Sequence, residues 1–164
     1  MTVVADIFAS WRNPRDVIAR KLAQGPREDR ALATLFGGCG LLFVAQLPGL
    51  ARAASIDPAV PFEARLGASL LGLMFVLPLV FYLVATIIHL ISRAFGGKGS
   101  GFAVRRALFW ALLAASPALL LNGLATGFLQ PGALQTALGL LTLAGLIYLV
   151  ISMVIEAESG HGID

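Results

Sequence analysis

Long apolar runs separated by short polar segments dominate this chain. The longest run covers residues 107–155 and includes no Asp, Glu, Lys or Arg. About 20 apolar residues are enough for one helix to cross the hydrocarbon core, so this run can form two spans. Its middle contains the sequence Gln-Pro-Gly at 130–132, which is a turn signal. We therefore predict a transmembrane hairpin with spans over residues 107–129 and 133–155.

Two further uncharged runs lie upstream of this hairpin. They predict spans over residues 30–50 and 66–93, joined by a loop at 51–64. The second span is longer than a roughly 30 Å hydrocarbon core requires, so we expect it to tilt or to kink at Pro78. The pattern as a whole predicts an all-α polytopic bundle of four transmembrane helices.

The first 26 residues are amphipathic rather than uniformly apolar. Asn13 and Pro14 form a helix start, with Asn as the N-cap and Pro at the first helical position. The apolar residues that follow share one face, and the basic residues lie largely elsewhere: Val17, Ile18 and Leu22 against Arg15, Arg20 and Lys21. We predict an interfacial helix on the cytoplasmic membrane surface. The alternative is a helix that packs on the protein's own cytoplasmic loops.

Composition supports a membrane protein of one domain. The chain has 164 residues, 58% hydrophobic and 13% charged, whereas soluble domains carry about 25% charged residues. We divide it into a cytoplasmic or interfacial segment (1–26), a transmembrane domain (27–155) and a short acidic cytoplasmic tail (156–164). The single cysteine, Cys39, excludes an internal disulfide and a cysteine-based metal cluster. The net charge of +3 is too small to indicate nucleic-acid binding.

The basic residues predict the orientation. Ten of the 12 Lys and Arg residues lie before the first span or between the second and third, and only Arg52 and Arg65 lie on the other side. By the positive-inside rule both termini are cytoplasmic. Five of the ten are predicted to contact lipid headgroups: Arg15, Arg20, Lys21, Arg105 and Arg106.

The loop after the second span contains the most distinctive polar segment, Gly96-Gly97-Lys98-Gly99. It is not a phosphate-binding P-loop, because Ser or Thr does not follow the lysine directly and no strand precedes it. We interpret it as a tight turn whose glycines permit positive φ. A docking loop for a cytoplasmic partner is the alternative.

Polar residues inside the spans are few. His89 and Asn122 form a possible intramembrane polar site. For His89 we favour a neutral, hydrogen-bonded packing role, and a proton relay or metal ligand is the alternative. No residue pattern indicates a catalytic, cofactor or metal site. The tail acids Glu156 and Glu158 are expected to be solvated.

Small residues repeat along several spans at spacings that allow helices to approach closely. They predict helix-packing faces in the first, second and third spans: Gly37, Gly38 and Gly40; Ala64, Ala68 and Gly72; Gly123 and Gly127.

Three segments together resemble Yip1-domain proteins. These are the start of the interfacial helix at 13–16, the glycine-rich segment from Phe95 to Phe102, and the segment from Leu108 to Pro117 with its alanine/serine-proline step. The resemblance implies a helical integral-membrane fold, commonly with five spans, and no catalytic residues. Eukaryotic members of that family bind small GTPases and shape or sort membranes. The Ala-, Arg- and Leu-rich composition is typical of a bacterial member.

The leading functional hypothesis is therefore a non-enzymatic scaffold or adaptor in the bacterial inner membrane. It would pack with other membrane proteins, or with itself, or organise lipid, and it would need no cofactor. The alternative is a small oligomeric transporter or channel built around Pro78, Pro117, His89 and Asn122.

Overall fold

The computed structural model describes residues 2–159, and these residues confirm the predicted all-α membrane bundle. The helices, in chain order, are α1 (Val3–Arg12), α2 (Pro14–Leu22), α3 (Glu28–Ile56), α4 (Phe62–Leu71), α5 (Leu77–Ala94), α6 (Gly101–Ala114), α7 (Ser116–Phe128) and α8 (Ala133–Glu158).

Three helical segments in the described part of the chain are long and apolar enough to cross a membrane by themselves. They are α3, the continuous segment from α4 to α5, and α8. A fourth span exists if α6 and α7, which are bent by 44° at their junction, cross the membrane together. The upper count equals the four spans predicted from the sequence, whereas the family resemblance implies a fold that commonly has five.

The bend between α6 and α7 has a local cause in the sequence. Pro117 occupies the first turn of α7. It has no N–H to donate to the carbonyl of Leu113 four residues earlier, and its ring would clash with that carbonyl if α6 continued straight. The carbonyl oxygen of Ala114, the last residue of α6, accepts a hydrogen bond of 2.9 Å from Trp11 Nε1. A side chain of α1 therefore compensates the interrupted helix, inside a bundle where a free carbonyl would be costly.

The second span is irregular about one turn before Pro78, the residue at which we predicted a kink. Residues Gly72–Val76 form a π-helical turn, in which the N–H of Leu77 donates to the carbonyl of Gly72. Pro78 has no N–H, so it cannot donate to the carbonyl of Met74 four residues earlier, and the backbone widens just before it.

Several helix ends differ from the predicted ones. α3 continues to Ile56 and α4 begins at Phe62, so the connection between them is shorter than the predicted loop at 51–64. α6 begins at Gly101, which places Arg105 and Arg106 in its first two turns rather than in a loop. The reason is Ser100, whose side chain accepts a hydrogen bond of 3.1 Å from the N–H of Ala103 and caps the helix.

α6 forms the centre of the molecule. It packs against α3, α5 and α8, and residues 103–115 are buried with one intermediate exception, Arg105. The charge-free sequence from residue 107 onward predicted a transmembrane span, and within α6 this part of the span is covered by protein. The lipid-facing surface is provided mainly by α4, α5 and α8, in whose membrane-spanning windows 11% of residues are buried.

The N-terminal helices pack on this central helix and on α8. Ile7, Val17 and Ile18 are buried in the same apolar cluster as Trp110 and Leu149. Of the two interpretations that the sequence left open, the structure shows packing on the protein, and the contact is with α6 and α8 rather than with loops. The outer face of α1 remains apolar and exposed, through Val3, Val4 and Phe8.

A polar network fixes α1 and α2 to α6. Lys21 Nζ lies 2.9 Å from a carboxylate oxygen of Asp6 and 3.5 Å from the centre of the Trp110 ring, a cation–π distance. Trp110 Nε1 in turn donates a hydrogen bond of 2.9 Å to Ser10 Oγ. Each of these side chains is at least mostly buried, so the network specifies one docking position for the two helices.

Some of the predicted small-residue faces make close contacts within the chain. A Cβ atom at Gly123 would overlap the backbone of Ala45, and one at Gly127 would overlap Pro48, so α7 and α3 touch backbone to backbone. Gly38 lies against Leu112, with 3.0 Å from its ideal Cβ position to the leucine side chain. Gly37 and Gly40 face Leu113 and Met74 at ordinary contact distance, 3.8 and 3.9 Å.

The face predicted on the second span is different. Ala64 and Ala68 are exposed, and nothing lies within 4 Å of a Cβ atom built at Gly72. We call these three residues the α4 stripe. Among residues 2–159, no atom approaches this stripe at Gly72 as closely as Ala45 and Pro48 approach Gly123 and Gly127.

Candidate functional site

The glycine-rich loop between α5 and α6 is held against the end of α8. Its amide groups donate in succession to three oxygens: Gly97 N to the carbonyl of Ser92 (2.8 Å), Lys98 N to the carbonyl of Glu158 (3.1 Å), and Gly99 N to Glu158 Oε2 (3.2 Å). Two of the three acceptors belong to Glu158. The predicted tight turn is thus joined to a residue about 60 positions away in sequence.

Glu158 also contacts the histidine of the second span. Its Oε1 lies 3.2 Å from His89 Nδ1, and the Glu158 side chain is only 10% exposed. The expectation that Glu158 is solvated is therefore wrong. The cause is the length of α8, which continues through residue 158 and keeps the carboxylate inside the bundle end instead of releasing it into a free tail. We call Glu158, His89 and the loop at 96–99 the loop clamp.

The loop clamp explains why glycines are needed at these positions. Gly96 has a φ of +88°, a left-handed conformation that other residues adopt with strain. A Cβ atom at Gly97 would lie 2.9 Å from the carbonyl oxygen of Ser92, and one at Gly99 would overlap the carbonyl oxygen of Ala157. The glycines therefore serve close approach to α5 and α8, in addition to turn geometry.

Two side chains of the clamped loop face outward. Phe95 is 89% exposed and Lys98 is also exposed. A backbone fixed by three hydrogen bonds presents an aromatic ring and a cation at one end of the bundle. This arrangement is suited to contact with a surface or a partner, whereas Ser100 is already used as the α6 cap.

The possible polar site of His89 and Asn122 is not one site. His89 lies beside Glu158 and Gly101, and Asn122 lies near Gly139 on the other half of α8. Gly139 and Glu158 are separated by about 28 Å along a regular helix of that length. Asn122 lines two cavities in the described part of the chain, and His89 lines neither of them.

The five basic residues predicted to contact headgroups have different surroundings. Arg15 is exposed, and Arg20 lies 3.8 Å from Asp6, which also binds Lys21. Arg105 forms an ion pair with Glu28 of α3. Arg106 is 7% exposed, and its Nε and Nη1 atoms are buried without a hydrogen-bond partner. Headgroup contact stays a prediction for all five, but they do not form one uniform basic surface.

Sequence reasoning missed two elements of this arrangement. The first is Glu158, for which the available signal was the loop itself, because several adjacent amides at a glycine-rich turn require an acceptor. The second is Trp11, which also contacts Gly145, where a Cβ atom would lie 2.7 Å from the tryptophan ring. Among residues 2–159 no group of three His, Cys, Asp or Glu side chains is placed to hold a metal ion.

Comparison with known proteins connects this architecture to a family. The model of the Yip1 domain matches residues 8–164, which is nearly the whole chain. No curated protein sequence and no solved structure matches the chain significantly. The match begins within α1 and includes the loop clamp and the end of α8, the elements that this fold fastens together. The chain belongs to the Yip1 domain family.

Proposed function

We propose that this protein is a non-enzymatic membrane scaffold or adaptor that binds another integral membrane protein through α4. The bundle has two kinds of small-residue face. One kind is in close contact with another helix of the described part of this chain, and the other is not. Gly123 and Gly127 bring α7 into backbone contact with α3, whereas the α4 stripe is free.

The free α4 stripe is the observation that carries this proposal. In lipid, an apolar face by itself drives no association, because lipid tails are as apolar as leucine. Small residues four apart allow close backbone approach and are therefore the feature that favours a helix partner over lipid. The α4 stripe has this spacing and continues into the π-helical turn at Gly72–Val76, a kind of irregularity that is frequent at functional sites.

We further propose a bacterial inner-membrane location with both termini in the cytoplasm. Basic residues support this orientation, since those at the α1–α2 end and near the clamped loop greatly outnumber Arg52 and Arg65. The composition rich in Ala, Arg and Leu supports a bacterial source. In this orientation Phe95 and Lys98 face the cytoplasm, where a soluble partner could also reach them.

No specific observation favours the transporter or channel. The polar residues expected to serve transport, His89 and Asn122, are separated along the bundle, and His89 is occupied by Glu158. The scaffold or adaptor is therefore the one function that we propose.

Copurification from the native membrane tests the proposal. The full chain, extracted in mild detergent or nanodiscs, is expected to carry a second integral membrane protein in stoichiometric amount, identified by native mass and peptide sequencing. Ala68→Leu should remove that partner, because a larger side chain on the α4 stripe prevents close approach. Leu70→Phe is the matched control, since Leu70 is an exposed residue of α4 on the opposite face.

Two results would contradict this function. One is a protein that purifies with lipid alone, and the other is a partner that Ala68→Leu retains as fully as Leu70→Phe does. The second result would exclude the α4 stripe as the contact even if a partner exists.

A further inference from the structure

A cavity lies between the N-terminal helices and the starts of α3 and α6. It has a volume of about 260 Å³ and is lined on its polar side by Lys21, Arg30 and Arg106. Its apolar wall is formed by Val3, Ala31, Ala33 and Trp110. No acidic side chain lines it. We call it the arginine cavity.

Arg106 is the unusual member of this group. Its side chain is more than nine-tenths buried, and two of its guanidinium nitrogens have no hydrogen-bond partner. Buried arginines in proteins are normally paired with an anion, because an unpaired charge away from water is strongly unfavourable. The neighbouring Arg105 also has one buried nitrogen without a hydrogen-bond partner, its Nε, but its guanidinium forms an ion pair with Glu28, and no ion pair of this kind is found at Arg106 among the described residues.

Nearby carboxylates do not fill this role. Asp6 binds Lys21 at 2.9 Å and also lies 3.8 Å from Arg20. Asp29 is bound to Arg27 at 3.1 Å, and its side chain is 65% exposed. Arg30 donates to the uncharged Gln24 at 3.3 Å. The cavity therefore retains the charge of Arg30 and Arg106 after the available acids have found other partners.

We propose that the arginine cavity binds a phosphate group. A guanidinium offers a planar fork of donors that matches phosphate oxygens, and Arg30 adds a second positive charge to the lining of the cavity. The apolar wall that includes Trp110 can accept the uncharged part of an amphipathic ligand. Basic pockets between transmembrane helices on the cytoplasmic side commonly bind lipid headgroups. A soluble phosphate compound carries the same chemistry, and the experiment separates the two sources.

Binding can be measured on the full chain in nonionic detergent with two probes, short-chain phosphatidic acid and inorganic phosphate. Short-chain diacylglycerol, which has the same acyl chains and no phosphate, controls for the acyl chains. Trp110 lies in the wall of the cavity, so its fluorescence reports occupancy, and a ligand-dependent rise in melting temperature gives a second readout. We expect saturable binding of phosphatidic acid. Binding of this lipid alone identifies a headgroup site, and competition by inorganic phosphate identifies recognition of the phosphate group itself.

Substitutions of single arginines test which residues bind the phosphate group. Arg106→Gln should weaken binding about tenfold or more, because it removes a charge-assisted contact in a buried site. Arg30→Gln changes an exposed residue at the edge of the cavity, so it should fold normally and weaken binding in the same direction. Arg93→Gln is the matched control, an exposed arginine at the end of α5 that does not line the cavity.

The proposal is overturned if neither probe binds saturably, or if Arg106→Gln binds as tightly as the wild type. It is also overturned if Arg93→Gln weakens binding as much as Arg106→Gln does, since that result would indicate only the general charge of the cytoplasmic face. If Arg106→Gln fails to fold, the binding affinity of Arg30→Gln is compared with those of Arg93→Gln and the wild type, and the same outcomes overturn the proposal.

Discussion

Glu158 contacts the glycine-rich loop through its backbone carbonyl and through its carboxylate, and the carboxylate also reaches His89. A single side chain thus joins α8, α5 and the loop that precedes α6. Because the carboxylate is mostly buried, replacing it leaves the amide of Gly99 and the ring of His89 without their acceptor. The integrity of the glycine-rich loop therefore depends on this one residue.

We predict that Glu158→Ala destabilises the protein by about 1–3 kcal/mol, the cost typical of leaving buried polar groups unpaired. The melting temperature in detergent measures the lost stability. Hydrogen exchange at the amides of Lys98 and Gly99 should increase relative to the wild type by more than exchange at other amides. Glu156→Ala is the control, because Glu156 belongs to the same helix turn and makes no side-chain hydrogen bond among the described residues.

An independent variant tests the same contact from the other side. Gly99→Ala places a methyl group against the carbonyl of Ala157 and should also loosen the loop. Gly67→Ala, which adds a methyl group in open space within α4, should be neutral or slightly stabilising. Unchanged exchange in both Glu158→Ala and Gly99→Ala would contradict the loop clamp.

At the scale of elements, α1 and α2 behave as part of the bundle. Their apolar residues are buried against α6 and α8, and Trp11 supplies the hydrogen bond that the bend at Ala114 lacks. The sequence suggested an interfacial segment that is separable from the transmembrane domain. The packing instead makes these helices a structural support of the interrupted α6–α7 segment.

We expect Trp11→Phe to detach α1 partially. The substitution keeps an aromatic ring but leaves the carbonyl of Ala114 without a donor, at a cost of about 1–3 kcal/mol. Hydrogen exchange over residues 3–12 should increase, while exchange in the middle of α3 stays as in the wild type. Phe8→Leu, at a position 61% exposed on the outer face of α1, serves as control. Equal exchange in the two variants would show that Trp11 does not hold the helix.

For the whole molecule, the central question is whether α6 and α7 together form one span. Cys39 is buried, so cysteines introduced elsewhere can be labelled selectively with a membrane-impermeant maleimide. In the proposed orientation, with both termini in the cytoplasm, Val60→Cys should be labelled from outside the cell, and Lys98→Cys only after permeabilisation. If the bent pair of α6 and α7 crosses the membrane, Gln130→Cys should be labelled from outside the cell, as Val60→Cys is. Labelling of Gln130→Cys together with Lys98→Cys would instead show a re-entrant segment.

The sequence allowed prediction of the helical class and of four apolar segments, because charge-free length is a strong signal in a membrane protein. It could not give the ends of α3 and α6, which depend on capping and on contacts that extend beyond the apolar run. It also gave no means of identifying the burial of α6, since a helix covered by protein and one covered by lipid have similar composition. The partners of His89 and Trp11 are distant in sequence, so only folding reveals them.

The position of Glu158 has a consequence for the biosynthesis of the chain. Residues 96–99 are synthesised well before α8, and α1 and α2 are synthesised first of all, yet the loop and α2 pack on α8, and α1 touches it through Trp11. Neither the loop nor the N-terminal helices can reach their final positions until the last helix has been inserted. A chain truncated before residue 158 would therefore retain its other apolar helices in the membrane while the end of the bundle at the loop clamp stays open, which is a form that quality-control proteases could distinguish from the finished protein.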